Sequence, residues 1–168
     1  MFETIQAADS KLFLSVFSKY SISSLSKTAR LISWSADGWL YFLLVPIIFL
    51  IKPQQTNEIL LLAILGFAGE RLIYFMLKSS FKRRRPPEYL DSIESLITAS
   101  DEFSLPSGHT SAAFFFVTFL CVGISPLFIP MFLWAMAVGL SRVILGVHFP
   151  GDILAGAAVG SMLALTVI

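Results

Sequence analysis

Residues 59–77 read ILLLAILGFAGERLIYFML, a run whose only charged members are Glu70 and Arg71. As a helix at about 1.5 Å per residue, a run of this length approaches the roughly 30 Å hydrocarbon thickness of a bilayer. It therefore predicts a membrane-spanning helix. Glu70 and Arg71 are expensive in hydrocarbon unless they pair or face a polar cavity. A buried structural pair is the favoured reading. Glu70, Tyr74 and Lys78 are four residues apart, share one helix face, and aim Glu70 toward whatever site Lys78 serves.

The whole chain has the same character. Of 168 residues, 56% are hydrophobic and 14% charged, against about 25% charged in an ordinary soluble domain, and the mean hydropathy is +0.80. A small domain cannot hide that much apolar surface in one core, so lipid must solvate the rest. Further apolar runs predict spans at about 38–51, 107–122, 127–145 and 151 to the C-terminus, with Pro126, Pro130 and Pro150 at the turns. The fold class expected is all-α: a polytopic bundle of about five transmembrane helices in one membrane-embedded unit. Residues 1–36 are read as interfacial helices and residues 37–168 as the catalytic bundle.

The interfacial reading rests on periodicity. Phe2, Ile5, Leu12, Phe13, Val16, Phe17 and Tyr20 recur at three- and four-residue spacing, which suits a helix lying on a membrane surface. A second piece, Ser23 to Ser35, places Leu25, Ala29 and Ile32 on one side; it is read equally as an amphipathic helix or as the polar start of the 38–51 span. Glu3, Asp9, Lys11 and Lys19 break any continuous signal-peptide core, so the start is read as retained. Cys121 is the single cysteine. That excludes an internal disulfide and a cysteine metal cluster, and its apolar setting marks it as packing. A net charge of +1 argues against a nucleic-acid partner, which needs a surplus of cations.

Composition changes abruptly over residues 78–105, where Lys78, Lys82, Arg83, Arg84 and Arg85 precede two prolines and several acids. This loop cannot face lipid. Leu90, Ile93, Leu96 and Ile97 are read as a short amphipathic lid within it. A basic run at a span boundary is usually a topology or headgroup signal, but both histidines of the chain also fall at loop–span junctions. His109 ends Pro106-Ser107-Gly108-His109 at the start of a span, where free backbone N–H groups and the helix dipole favour an anion. His148 precedes Asp152 by four residues across Pro150-Gly151. A carboxylate so placed can fix the imidazole tautomer and activate the other nitrogen. Two imidazoles, an acid, several cations and a Ser-Gly helix start are the parts needed to hold and transfer a phosphoryl group without a metal.

Lys78, Arg85-Pro86, Pro106-Ser107-Gly108-His109, Ser141-Arg142, His148 and Asp152 stand in the order and spacing that resembles the three-part signature of the type 2 phosphatidic acid phosphatase superfamily. The resemblance covers residues 78–152; the N-terminal part departs from the family's common six-span form. It implies that His148 is the nucleophile, forming a phosphohistidine, that Asp152 orients it, and that His109 protonates the leaving oxygen and then activates water. It further implies that Lys78, Arg85, Ser107, Gly108 and Arg142 hold the phosphoryl oxygens, with no metal or cofactor. Arg83 and Arg84 fall outside the signature and are accessory candidates for a second phosphate, a headgroup or anionic lipid; Glu70 is a third accessory candidate. In the last span Gly156, Gly160 and Ala164 share the face of Asp152, a stripe that permits close helix contact and could also position the acid.

The resemblance implies a lipid phosphate or diphosphate substrate, such as undecaprenyl diphosphate, phosphatidylglycerol phosphate, phosphatidic acid or a lipid A phosphate. Spans of alternating direction gather ten of the 12 Lys and Arg on one face, which the positive-inside rule makes cytoplasmic. The family's bacterial members place the site toward the periplasm or exterior, and that is the orientation expected here, in the inner (plasma) membrane, because several of those cations belong to the site. Two other readings remain: a non-hydrolytic lipid-phosphate binding or transport protein, which the His148–Asp152 pair disfavours, and a vanadate-dependent haloperoxidase, which the spans disfavour.

Overall fold

The computed structural model describes residues 2–21 and 24–168, with the side chains of Phe2 and Glu3 outside that description. The regular elements among the described residues are all helical, with no strand among them. Helices α1 (Phe2–Tyr20) and α2 (Leu25–Ser35) come first. A 3-10 turn (Trp39–Leu43) leads into α3 (Leu44–Ile51), and α4 (Thr56–Phe81) follows. The short α5 (Pro86–Tyr89) opens the polar loop; α6 (Gly108–Phe119), α7 (Phe132–Ile144) and α8 (Pro150–Val167) complete the bundle.

Among the described residues, three helical stretches are long and apolar enough to cross a membrane: Pro53–Tyr89, Pro126–Ile144 and Pro150–Val167. The stretches Leu25–Ser35 and Trp39–Ile51 make a fourth if they act as one span, bent by 50°. The second amphipathic piece is thus joined to the apolar run after it; the expected start at Ser23 lies outside the described residues. The fifth expected span, seen as Gly108–Ile124, is apolar but shorter. It is the central helix: Ala113, Phe115, Phe116, Val117 and Phe119 are all essentially inaccessible. Its apolar residues fill the protein core, while the outer faces of α4, α7 and α8 present Leu65, Leu72, Phe75, Leu133, Leu154 and Met162 to their surroundings. That is the pattern of helices solvated by lipid.

Helices α6 and α8 pack closely because α8 is small-faced. A Cβ on Gly156 would stand 2.6 Å from the Ser107 carbonyl oxygen, and one on Gly160 would collide with that of Ser111. The Ser107 N–H donates to the Asp152 carbonyl (3.0 Å). The stripe therefore packs the helices as expected, and the Ser107–Asp152 backbone bond ties the start of α6 to the start of α8.

The N-terminal helix, expected at the membrane surface, packs into the protein. Phe13 and Phe17 are buried against Val143 and Phe149, and Phe13 stacks on Phe17 at 5.3 Å between centroids. The lid expected at Leu90–Ile97 is not a helix; beyond Tyr89 the chain is irregular to Ser107. Leu90 and Ile93 pack on the cluster formed by α1, while Leu96 and Ile97 pack beside Leu145 and Val147. The first two apolar residues thus go to one cluster and the last two to another, and no single helical face is needed. The strap is tied by Leu96 N–H to the Leu145 carbonyl (2.9 Å) and by Arg30 to the Leu96 carbonyl (2.5 Å).

Candidate active site

The polar ends of α4, α6, α7 and α8 converge. Lys78 closes the last turn of α4, and Arg85 stands just before Pro86, whose ring starts α5. Both cations are buried, at 5% exposure each. They meet at Asp101. Lys78 Nζ forms an ion pair with Asp101 Oδ1, Arg85 Nη2 donates to the same oxygen (2.6 Å), and the Tyr74 hydroxyl donates to Oδ2 (2.5 Å). Burial by itself favours the neutral acid, but the hydrogen bonds from Lys78, Tyr74 and Arg85 outweigh it and hold Asp101 well below the usual carboxylate range. The two signature cations thus grip one anionic group between them.

Arg85 also donates through Nη1 to the Val147 carbonyl (2.6 Å), and the same nitrogen lies 3.5 Å from His148 Nε2. On the other side of the ring, Nδ1 lies 3.5 Å from Asp152 Oδ2, close enough for charge but without a formed hydrogen bond. His148 is 2% exposed. Burial pushes its pKa down to about 4, with Arg85 and Arg142 acting in the same direction and Asp152 opposing them. The imidazole is therefore neutral at physiological pH, with a lone pair free to attack.

Asp152 caps its own helix. Its Oδ2 accepts from the Phe149 N–H (2.8 Å), and its Oδ1 accepts from Arg83 Nη1 (2.6 Å). Arg83 was expected to offer charge to a second phosphate or headgroup. Instead it is used up inside the protein: Nη2 donates to Asp9 (2.6 Å) and to Gln6 (2.7 Å), both on α1, and the guanidinium lies over the Phe149 ring. Asp9 also accepts from the Gly151 N–H (2.9 Å). Arg83 bridges the partly buried Asp9 and the fully buried Asp152, so α1 is coupled through Arg83 to the orienting acid. The Arg84 side chain is exposed and away from this network.

Glu70 is fully buried and does not reach the cluster of Lys78. It holds Arg71 through two hydrogen bonds (2.5 and 2.6 Å), and Arg71 donates to the Gly108 carbonyl (3.2 Å). The two residues pair as expected, but only Glu70 is buried, the Arg71 side chain being 41% exposed; the pair supports the turn that begins α6. Ser107 is fully buried, its hydroxyl accepting from Thr110 (3.0 Å). Arg142 donates through Nη1 to Ser33 Oγ (2.6 Å), and its buried Nε has no partner among the described residues. His109 sits apart from His148 in hydrogen bonding: its Nε2 contacts Asp37 Oδ1 at 2.6 Å. A cavity of about 290 Å³ opens beside it, lined by Arg30, Asp37, His109 and Arg142 among others.

Sequence reasoning did not single out Asp37, Ser33 or Asp101. Asp37-Gly38 interrupts the apolar pattern between α2 and α3, a signal of a polar insertion into a span. Ser33 and Asp101 carried no such signal, because only the folded chain brings them to Arg142 and Lys78.

A buried imidazole–carboxylate pair beside two buried cations that share one carboxylate, at the polar end of a bundle of apolar helices, defines a helical membrane protein with its charged groups gathered at one end. The PAP2 superfamily model matches residues 57–168, and this chain belongs to that superfamily. It is 31% identical over 139 residues to the bacitracin transport permease protein BcrC of Bacillus licheniformis, a match covering 79% of this chain and 66% of that one. It is 36% identical over 114 residues to phosphatidylglycerophosphatase B of Bacillus subtilis (strain 168), covering 61% and 53%. The matched chain thus spans less than two thirds of either curated relative. Among solved structures it resembles Aquifex aeolicus LpxE, with a TM-score of 0.77 at 25% identity over 94% of this chain and 92% of that one. It also resembles the first transmembrane PAP2 type phosphatidylglycerolphosphate phosphatase from Bacillus subtilis, with a TM-score of 0.75 at 28% identity over 98% and 84%.

Proposed function

We propose that this protein is an integral-membrane lipid phosphatase that works through a phosphohistidine on His148. The observation that carries the reading is the grip of Lys78 and Arg85 on one carboxylate, with Arg85 also 3.5 Å from His148 Nε2. A site that binds a carboxylate between two cations binds a phosphoryl group by the same hydrogen bonds, and His148 Nε2 stands at its edge. Membership of the superfamily supports the same reading.

In the proposed reaction, His148 Nε2 attacks phosphorus while the bond to the lipid oxygen breaks and His109 gives that oxygen a proton. Water then attacks phosphorus, His109 takes its proton, and the phosphorus–nitrogen bond breaks to release phosphate. Asp152 stabilises the charge that develops on His148. Lys78, Arg85 and Arg142, with the Ser107 hydroxyl and the Gly108 amide, hold the non-bridging oxygens, whose charge is the main catalytic demand of phosphoryl transfer. Residues 37–168 act as the catalytic bundle with residues 1–36 as its interfacial helices, and the site faces the exterior or periplasmic side of the plasma membrane.

The substrate class is a lipid phosphate or diphosphate. The names of the relatives, a phosphatidylglycerophosphatase and LpxE among them, support a membrane lipid substrate in general. The test is phosphate release in detergent from phosphatidic acid, phosphatidylglycerol phosphate, undecaprenyl diphosphate and lipid A phosphate, with vanadate or EDTA added. Turnover inhibited by vanadate and indifferent to EDTA is expected. A metal requirement overturns the mechanism, and phosphate binding without turnover favours a binding or transport role. Cysteine labelling of residues 52–58 in intact cells tests the orientation: exterior labelling overturns it.

A further inference from the structure

His109 carries the proton-transfer duty in the proposed reaction, yet nothing near it in sequence orients its ring. The structure supplies a partner from 72 residues away. Asp37 Oδ1 lies 2.6 Å from His109 Nε2. Asp37 sits between α2 and the 3-10 turn, at the 50° bend, and the turn around it is fixed at several points. The Asp37 N–H donates to the Trp34 carbonyl (3.1 Å), the Trp39 indole donates to the same carbonyl (3.2 Å), and the Trp134 indole donates to Ser35 Oγ (2.9 Å). Ala36 beside it is buried, and Gly38 takes a φ of 107°, which favours glycine. Asp37 is thus held on a built corner, although its side chain is 47% exposed.

The pair stands in the wall between two cavities. One is the cavity of about 290 Å³ with Arg30 and Arg142; the other, of about 350 Å³, is lined by Tyr41, Phe67, Arg71 and Ala112. Asp37 and His109 line both. An imidazolium on His109 would face the guanidiniums of Arg142 on α7 and Arg71 on α4, and Asp37 brings the opposite charge to it. With Nε2–H donated to Asp37, proton exchange falls to Nδ1. Nδ1 is the ring nitrogen nearer the His109 main chain, in the first turn of α6.

We propose that Asp37 is a positioning residue for the acid–base step: it fixes the His109 tautomer and neutralises the imidazolium, making His109–Asp37 a second histidine–carboxylate pair. This rests on the phosphohistidine reading above. Nδ1 gives its proton to the leaving oxygen as the phosphorus–oxygen bond breaks. It regains one from water as that water attacks phosphorus and the bond to His148 breaks. Nε2 stays bonded to Asp37 throughout.

The experiment uses purified full-length protein in detergent and two substrates, phosphatidic acid with a poor leaving group and p-nitrophenyl phosphate with a good one. Rapid mixing separates phosphohistidine formation from its hydrolysis. Asp37→Asn should lower turnover of phosphatidic acid about 10- to 100-fold, the range of a weakened acid–base catalyst. With p-nitrophenyl phosphate, formation needs little acid help while hydrolysis still needs a base. A stoichiometric burst of nitrophenol, slow steady-state release and trapped phosphohistidine should follow. Asp37→Glu should restore part of the rate, and Asp37→Asn added to His109→Ala should cost nothing further. Equal losses in burst and steady state, additive losses in the double variant, or no loss at all overturn the role of Asp37. Full activity of His148→Ala on the same substrates overturns the underlying mechanism instead, so the two failures are distinguishable.

Discussion

The two histidines of this chain stand in two pairs with carboxylates, made under different physical conditions. His148, just before α8, and Asp152, in its first turn, lie four residues apart, both buried, with Arg83, Arg85 and the Phe149 amide engaging them. His109 and Asp37 come from separate helical segments, closer to each other at 2.6 Å, and Asp37 is about half exposed. Burial depresses the His148 pKa to about 4, which suits a neutral nucleophile. A partly open pair next to a cavity suits a group that must exchange protons with water and a leaving oxygen. The comparison teaches that one residue type can serve two proposed duties because the pairs differ in access to solvent and in the ring nitrogen that faces the acid, Nδ1 in His148 and Nε2 in His109.

The comparison breaks most easily at the buried pair. His148→Ala should abolish lipid phosphatase activity, by at least about 10⁴-fold as for other removed nucleophiles, while the protein still extracts and purifies as before; residual full turnover breaks the assignment. Asp152→Asn should cost about 10²- to 10³-fold, less than the nucleophile itself, because it removes charge stabilisation and leaves the ring in place. Arg83→Gln, measured in parallel, should lose about 10-fold, since Asp152 keeps its bond from the Phe149 N–H. An Arg83→Gln loss equal to that of Asp152→Asn would mean that α1, through Asp9 and Arg83, controls the acid outright.

The pH profile sharpens the contrast. Because its pKa in the folded protein lies near 4, below the usual 6.5, His148 stays neutral until pH falls well into the acid range. After correction for substrate ionisation, the acid limb of kcat/KM set by the nucleophile should lie near pH 4, as followed by phosphate release. The same shift has a consequence for stability. Between pH 6.5 and 4 the unfolded chain binds a proton at His148 that the folded chain refuses, so His148's contribution to stability is present above 6.5 and lost as pH falls. Thermal unfolding in detergent should register that loss, and Asp152→Asn should move the acid limb lower still.

The smallest effect is expected at the anion pocket. Asp101 lies on the grip of Lys78 and Arg85, so it competes with any incoming phosphate. Asp101→Asn should tighten inhibition by vanadate or inorganic phosphate about three- to tenfold, read as a lower inhibition constant with the same maximal rate. Weaker inhibition would mean that Asp101 organises the cations more than it obstructs them.

The parts legible in the sequence are those with short range. The apolar runs of α4, α7 and α8 announce helices in lipid, and His148–Asp152 reads as a pair because four residues across the Pro150-Gly151 turn keep the carboxylate within reach of the ring. The glycine stripe reads as a contact face because a helix brings residues four apart together. The lid misled because Leu90, Ile93, Leu96 and Ile97 have helical spacing, while the structure sends them to two different hydrophobic clusters. Arg83 misled because a basic run at a span boundary looks like a surface signal; its carboxylate partners are Asp9 on α1 and Asp152 on α8.

Membrane residence, helical class, the family and the local pair of His148 and Asp152 were determined by the sequence alone, since hydrophobicity, helical period and close sequence spacing act over one turn or one span. The tertiary structure alone decided that Gly108–Ile124 is the buried centre of the bundle and that α1 clamps Arg83. It alone put Asp101 on the paired cations and Asp37 on His109. Those choices depend on which helix faces meet, and lipid-facing and core-facing residues are equally apolar. Only packing, through the small faces of Gly156 and Gly160 and the bend at Asp37, distinguishes them.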